Sequence, residues 1–159
     1  PPLRREEDVR AVREGLADGT IDIVATDHAP HPAEAKACEW GAAANGMVGL
    51  ESALRVVQHA MVDTGMLTWA DVARVMSREP ARIGRLAGHG TPITVGHPAH
   101  LVFHDPAPMR TFGTADLEGR SVNSPYLGRE LPGVIRWTVY GGLVTVADGA
   151  VLDRPGVRS

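Results

Sequence analysis

A formal net charge of −3 on 159 residues offers no electrostatic footing for nucleic acid or for an anionic membrane surface. No apolar run approaches the roughly 20 residues of a membrane span. Cys38 is the single cysteine, which excludes an internal disulfide and a thiolate zinc cluster and makes the cytoplasm the default compartment.

Residues 1–5 open on Pro1-Pro2 and read as extended backbone. A helix is predicted over 6–18. Val9, Val12 and Leu16 share one face, Glu6, Glu7 and Asp8 suit the positive end, and Gly19 is the stop. A strand is predicted over 20–26. Its run of Ile21, Ile23, Val24 and Ala25 is rich in β-branched residues and has the apolar character of a strand buried on both faces. Helix followed by strand is the rhythm of a parallel α/β sheet or barrel.

Asp27, His28 and His31 crowd the end of that strand, where Pro30 breaks the pattern. Active sites of parallel α/β barrels lie at the C-terminal ends of their strands. A carboxylate there can ligate a metal and move a proton to or from an activated water. Asp can equally do no more than cap the next turn. Residues 32–46 read as a loop, either a lid over this cluster or a plain surface loop.

Helices are predicted over 49–63, 68–76 and 80–86. The first carries Leu50, Leu54, Val57 and Met61 on one face and ends at Gly65; His59 in it reads as structural. Thr68 and Asp71 form a capping pair for the second, and Pro80 opens the third. Met47, Met61, Met66 and Met76 read as core filler. After Gly88 the helical period stops. Short β-like runs follow at 92–95, 99–104, 134–140 and 143–147, with hairpin turns at Gly141-Gly142 and Asp148-Gly149. His89, His97, His100 and His104 have no ligand-like spacing, since His100 and His104 would lie about 13 Å apart along a strand. The expected organisation is a barrel portion over 1–88 and a β-rich unit over 89–159, with a frayed polar tail from 153. A complete α/β barrel takes about 250 residues, so the chain reads as the C-terminal part of a longer protein.

Four stretches together resemble the dihydroorotases of the cyclic amidohydrolase superfamily. Thr26-Asp27-His28-Ala29-Pro30-His31 is similar to the last-strand motif of that family. Pro1-Pro2-Leu3-Arg4 resembles the segment before the last barrel helix. Gly46-Met47-Val48-Gly49-Leu50-Glu51 resembles the glycine-rich substrate loop. Asn123-Ser124-Pro125-Tyr126, with Gly128, Leu131 and Gly133, resembles the C-terminal signature.

The resemblance implies an α/β fold: the C-terminal part of a metal-dependent (β/α)8 barrel plus strands of a small β-sandwich. It implies zinc-dependent, reversible cyclisation of N-carbamoyl-L-aspartate to L-dihydroorotate in pyrimidine biosynthesis. Asp27 is then metal ligand and general base/acid, His31 binds the substrate carboxylate, and the Asn45-Gly46 backbone contacts substrate. One or two zinc ions would take their other ligands from upstream of this chain, which alone would be inert. The role of His28 is left to support of Asp27. The implied partners are the N-terminal remainder, with which extensive contacts are expected, the small-molecule substrate, a second copy in a homodimer, and aspartate transcarbamoylase. Two alternatives stand beside this: an allantoinase or hydantoinase acting on another ring, and an inactive dihydroorotase-like scaffold subunit.

Overall fold

The structure is a computed structural model that describes residues 4–152. The extended start at Pro1-Pro2-Leu3 and the polar tail from 153 lie outside the described residues.

Helix α1, Glu6–Asp18, forms where expected. The Arg5 N–H donates to the Asp8 carboxylate at 3.1 Å, and Gly19 ends the helix at φ 86°. Its apolar face is covered only at Leu16; Val12 is 58% exposed. Leu16 joins Val57, Met61, Leu67, Val72 and Val75 in the helical core, with Ile21, Val24 and Leu54 packed against it.

Residues 22–27 are not helical, but they do not form the expected strand ladder either. A strand is defined by a hydrogen-bonded neighbour, and among the described residues none runs beside them. Two contacts hold this stretch. His28 pairs with Met47 in an isolated parallel bridge, and the Val24 N–H donates to the Val75 carbonyl at 3.1 Å. That carbonyl is free because of proline. The helical run from Trp69 is continuous, as α4 (Trp69–Ala73), a π segment (Arg74–Arg78) and α5 (Glu79–Ile83), where two separate helices were expected. In the π register the Glu79 N–H donates to the Arg74 carbonyl. The next donor would be Pro80, which has no N–H, so Val75 is left to Val24. The Thr68–Asp71 capping pair forms as expected.

The predicted loop over 32–46 contains one helical turn, α2 (Ala33–Lys36). The helix expected from 49 becomes regular only at α3, Ala53–Val57, and continues as a π segment, Gln58–Val62. Met47, expected in the core, is 43% exposed, and His59 is exposed.

Four antiparallel strands follow in the order β1-β2-β3-β4: Leu101–Thr111, Glu130–Tyr140, Leu143–Ala147 and Ala150–Val151. Strand β1 is longer than predicted. Pro106 and Pro108 fall where the register slips between Asp105 and Met109, on an edge strand that tolerates their missing donors. Residues 92–95 make no ladder and lead into a turn. Gly141 and Gly142 (φ 57° and 82°) and Asp148 and Gly149 (φ 50° and 82°) close two-residue hairpins where turns were predicted, in left-handed geometry.

Buried Arg55 joins the helices to the sheet. Its guanidinium donates to the carbonyls of Arg110 at 2.7 Å, Leu131 at 2.6 Å and Pro132 at 3.3 Å. His89 packs tilted against His100 with ring centroids 4.2 Å apart, and Tyr140 meets His100 at 4.9 Å. His104 lies elsewhere, against Trp69 and hydrogen-bonded to Gln58 at 2.7 Å. These histidines serve packing and turn closure: the Gly141 N–H donates to His100 Nδ1.

Candidate functional site

Asp27 ends the extended stretch with φ 46°, a left-handed conformation that aspartate tolerates better than most residues. The chain turns there, and the polar residues after it meet two other segments. Asp27 itself is exposed and takes part in none of the ion pairs among the described residues.

His28 makes its hydrogen bonds to the Gly49-Leu50 backbone, and none to Asp27 among the described residues. Its Nδ1 accepts from the Gly49 N–H at 3.1 Å and the Leu50 N–H at 3.4 Å. An accepting Nδ1 places the proton of the neutral ring on Nε2.

His31 is held at three atoms. Its Nε2–H donates to the Asn45 carbonyl at 2.8 Å, its backbone N–H donates to Ser121 Oγ at 3.2 Å, and its carbonyl lies 2.9 Å from that hydroxyl. Ser121 is buried and also contacts Asn123 Oδ1. Asn123 Nδ2 in turn donates to the Gly46 carbonyl at 2.9 Å, and the Val48 N–H donates to the Asn123 carbonyl at 3.2 Å. Lys36 Nζ donates to the carbonyls of Ala44 at 2.6 Å and Gly46 at 3.1 Å.

Gly46 has to be glycine. Its φ is 125°, and a Cβ there would lie 2.5 Å from the Ala29 Cβ. The structure thus brings His31, Asn45 and Gly46 together. Ser121 and Lys36 were not foreseen, and Asn123 was noted only as part of a motif. The visible signal was polar residues inside otherwise apolar or turn-rich stretches, which does not say what they bond.

A cleft of about 330 Å³ opens beside this network, lined by His28, His31, Glu51, Arg120 and Ser121 among others. Asp27 is not part of its wall. Glu51 Oε1 accepts from the Glu118 N–H at 3.3 Å, whereas its Oε2 is buried without a partner among the described residues. No three His, Cys, Asp or Glu side chains converge as a metal site among the described residues. Asp27, an exposed carboxylate outside every ion pair, fits as one ligand of a metal; the remaining ligands are not formed by these residues.

The amidohydrolase family model matches residues 2–144. The chain belongs to the amidohydrolase family. This amidohydrolase chain is 67% identical over 156 residues to the dihydroorotase of Leifsonia xyli subsp. xyli, covering 98% of this chain and 36% of that protein. It is 49% identical over 151 residues to the dihydroorotase of Mycobacterium tuberculosis, covering 95% of this chain and 35% of that protein. Among solved structures, the D-hydantoinase (dihydropyrimidinase) from Thermus sp. superposes with TM-score 0.87 at 29% identity, over 98% of this chain and 35% of that one. The L-hydantoinase from Arthrobacter aurescens gives TM-score 0.83 at 30% identity, over 96% and 35%. The chain spans about a third of the length of the curated relatives it matches. The fold is therefore a portion of the amidohydrolase α/β barrel with an antiparallel sheet attached.

Proposed function

We propose that this chain is the C-terminal part of a cytoplasmic dihydroorotase, with residues 1–88 belonging to the barrel and 89–159 to a β-rich unit. The 67% identity to a dihydroorotase, against 29–30% to the hydantoinases, carries this reading. Surface supports the partnership with an upstream remainder. The chain exposes 11093 Å². A compact monomer of 16.9 kDa exposes about 7,700 Å².

Zinc, one or two ions held through Asp27 and ligands from elsewhere in the protein, would supply Lewis acidity and bring water's pKa toward neutrality. In ring opening, the Asp27 carboxylate takes a proton from the attacking water as the C–O bond forms at the ring carbonyl. It returns the proton to the ring nitrogen as the C–N bond breaks, giving N-carbamoyl-L-aspartate. Cyclisation runs the same steps backwards. His31 binds the substrate carboxylate. Since its Nε2–H is committed to Asn45, the nitrogen left for substrate is Nδ1, which donates only when the ring is an imidazolium. The Asn45-Gly46 backbone supplies amide donors to the ring.

The structural likeness to hydantoinases favours a second reading, ring opening of a hydantoin, which has no carboxylate for His31. The test is turnover of L-dihydroorotate, hydantoin and allantoin by the full-length, metal-loaded protein. Dihydroorotate turnover that falls selectively in His31→Ala is expected. Hydantoin turnover unaffected by His31→Ala, with none of dihydroorotate, would overturn the assignment.

A further inference from the structure

Resting on the reading above, we propose that Lys36 is a positioning residue that aims the Asn45-Gly46 amides at the substrate. The observation is a run of three consecutive carbonyls, all held by side chains. Lys36 Nζ takes Ala44 at 2.6 Å and Gly46 at 3.1 Å, His31 takes Asn45 at 2.8 Å, and Asn123 adds a second bond to Gly46 at 2.9 Å.

A trans peptide is planar, so the C=O of one residue and the N–H of the next point in opposite directions. Fixing the carbonyls of Ala44 and Asn45 toward the protein therefore turns the amides of Asn45 and Gly46 away from those donors. Neither amide has a protein acceptor among the described residues. They are donors of consecutive residues, each turned away from the side chain that holds its peptide.

Lys36 is suited to this task for three reasons. An ammonium is a donor only, with three protons, so one side chain can serve two carbonyls. It is half-buried and forms no ion pair among the described residues, so those carbonyl dipoles face its charge. A cation on the oxygen side of a peptide also polarises it and strengthens the N–H as a donor. Gly46 completes the device, because only a residue without a Cβ passes so close to Ala29.

The experiment uses the full-length, metal-loaded protein as wild type, Lys36→Met, Lys36→Arg and Asn123→Ala. It reads steady-state kinetics with L-dihydroorotate and, in parallel, amide hydrogen exchange across residues 33–47. Contacts to non-reacting ring atoms serve ground and transition states alike. Lys36→Met should thus raise KM about tenfold with kcat within about threefold, and Lys36→Arg should recover most of the loss. Asn123→Ala, which removes one of the two side-chain bonds to the Gly46 carbonyl and the contact with Ser121, should raise KM about threefold.

Exchange of the Ala44 amide, held by the Ala35 carbonyl at 2.9 Å, should quicken in Lys36→Met. Unchanged exchange in that variant would overturn the proposal whichever ring is turned over. A fall in kcat with KM intact would also overturn it, since that pattern marks an interaction made only in the transition state or a loss of assembled enzyme, neither of which is ground-state positioning. If the wild type opens a hydantoin and not dihydroorotate, the ring assignment above falls alone, and the KM effect of Lys36→Met on that hydantoin decides the role of Lys36.

Discussion

Residues 20–27 and 134–140 read alike, each a short run of Ile, Val and Thr beside a turn signal. The second became the core of a ladder, with Leu101–Asp105 on one side and Leu143–Ala147 on the other. The first stayed extended, its amides held by two helix carbonyls, those of Gly15 and Val75, with one isolated bridge at the adjoining His28. Composition selects an extended backbone; a ladder also needs a neighbour within reach. Strand β2 reaches β3 through a two-residue turn, whereas 20–27 has no such neighbour among the described residues. The polar cluster follows the ladder-poor stretch and is fixed instead by side chains bonding to backbone. Damage there should appear in kinetics, and damage around the sheet in stability.

The largest effect that separates the two regions is expected from Gly46→Ala in the full-length protein. The Cβ cannot fit against Ala29, so the loop must move, and a displacement near 1 Å can cost about 10²-fold in kcat/KM. Backbone strain at φ 125° also lowers the melting temperature, so kcat/KM is compared per folded molecule. A variant with normal kcat/KM would break the link between this loop and substrate.

Arg55→Met should do the opposite. Three carbonyls at the helix–sheet junction would lose their charged donor, at a cost of about 3 kcal/mol in a urea titration, with activity per folded molecule retained. An unchanged urea midpoint would show that Arg55 does not join the two regions.

His104 gives a smaller, pH-dependent effect at the same junction. Burial pushes its imidazole below the usual range, against the pull of Asp105, and Arg55 adds to the lowering. The unfolded chain therefore binds the proton more readily, near its ordinary pKa of about 6.5. Stability present above that value is lost as pH falls through it toward the lower folded value. His104→Gln should flatten the decline in melting temperature between about pH 7 and about pH 5. An equally steep decline would remove His104 from the account.

The smallest effect belongs to Gly142→Ala. At φ 82° in an open hairpin turn the added methyl meets nothing, so only backbone strain remains, about 1 kcal/mol in a urea titration. A larger loss would mean that β3 does more than close the sheet.

Much of this was legible in the residues. Helix α1, the Thr68 cap and both hairpin turns depend on local chemistry, and local chemistry is written in the chain. The continuous π-bearing run from Trp69 was not, because Pro80 looked like a start when it is a tolerated interior residue whose missing N–H frees Val75 for Val24. The length of β1 was hidden by Pro106 and Pro108, which become acceptable only on an edge. In the site, the motif containing Asp27 and His31 stood out, but the bonds of His28, Lys36, Ser121 and Asn123 join residues up to 90 positions apart. No periodicity encodes such a meeting.

The central claim is that Asp27 performs the proton transfer in a reaction whose substrate His31 anchors. It is tested most directly by kcat of Asp27→Asn on the full-length, metal-loaded protein with L-dihydroorotate. The amide removes both a charged ligand and the proton acceptor, and loss of a general base alone typically costs about 10²–10⁴-fold. The account predicts a fall at least that large. An Asp27→Asn protein with full metal content and near-normal kcat would contradict it.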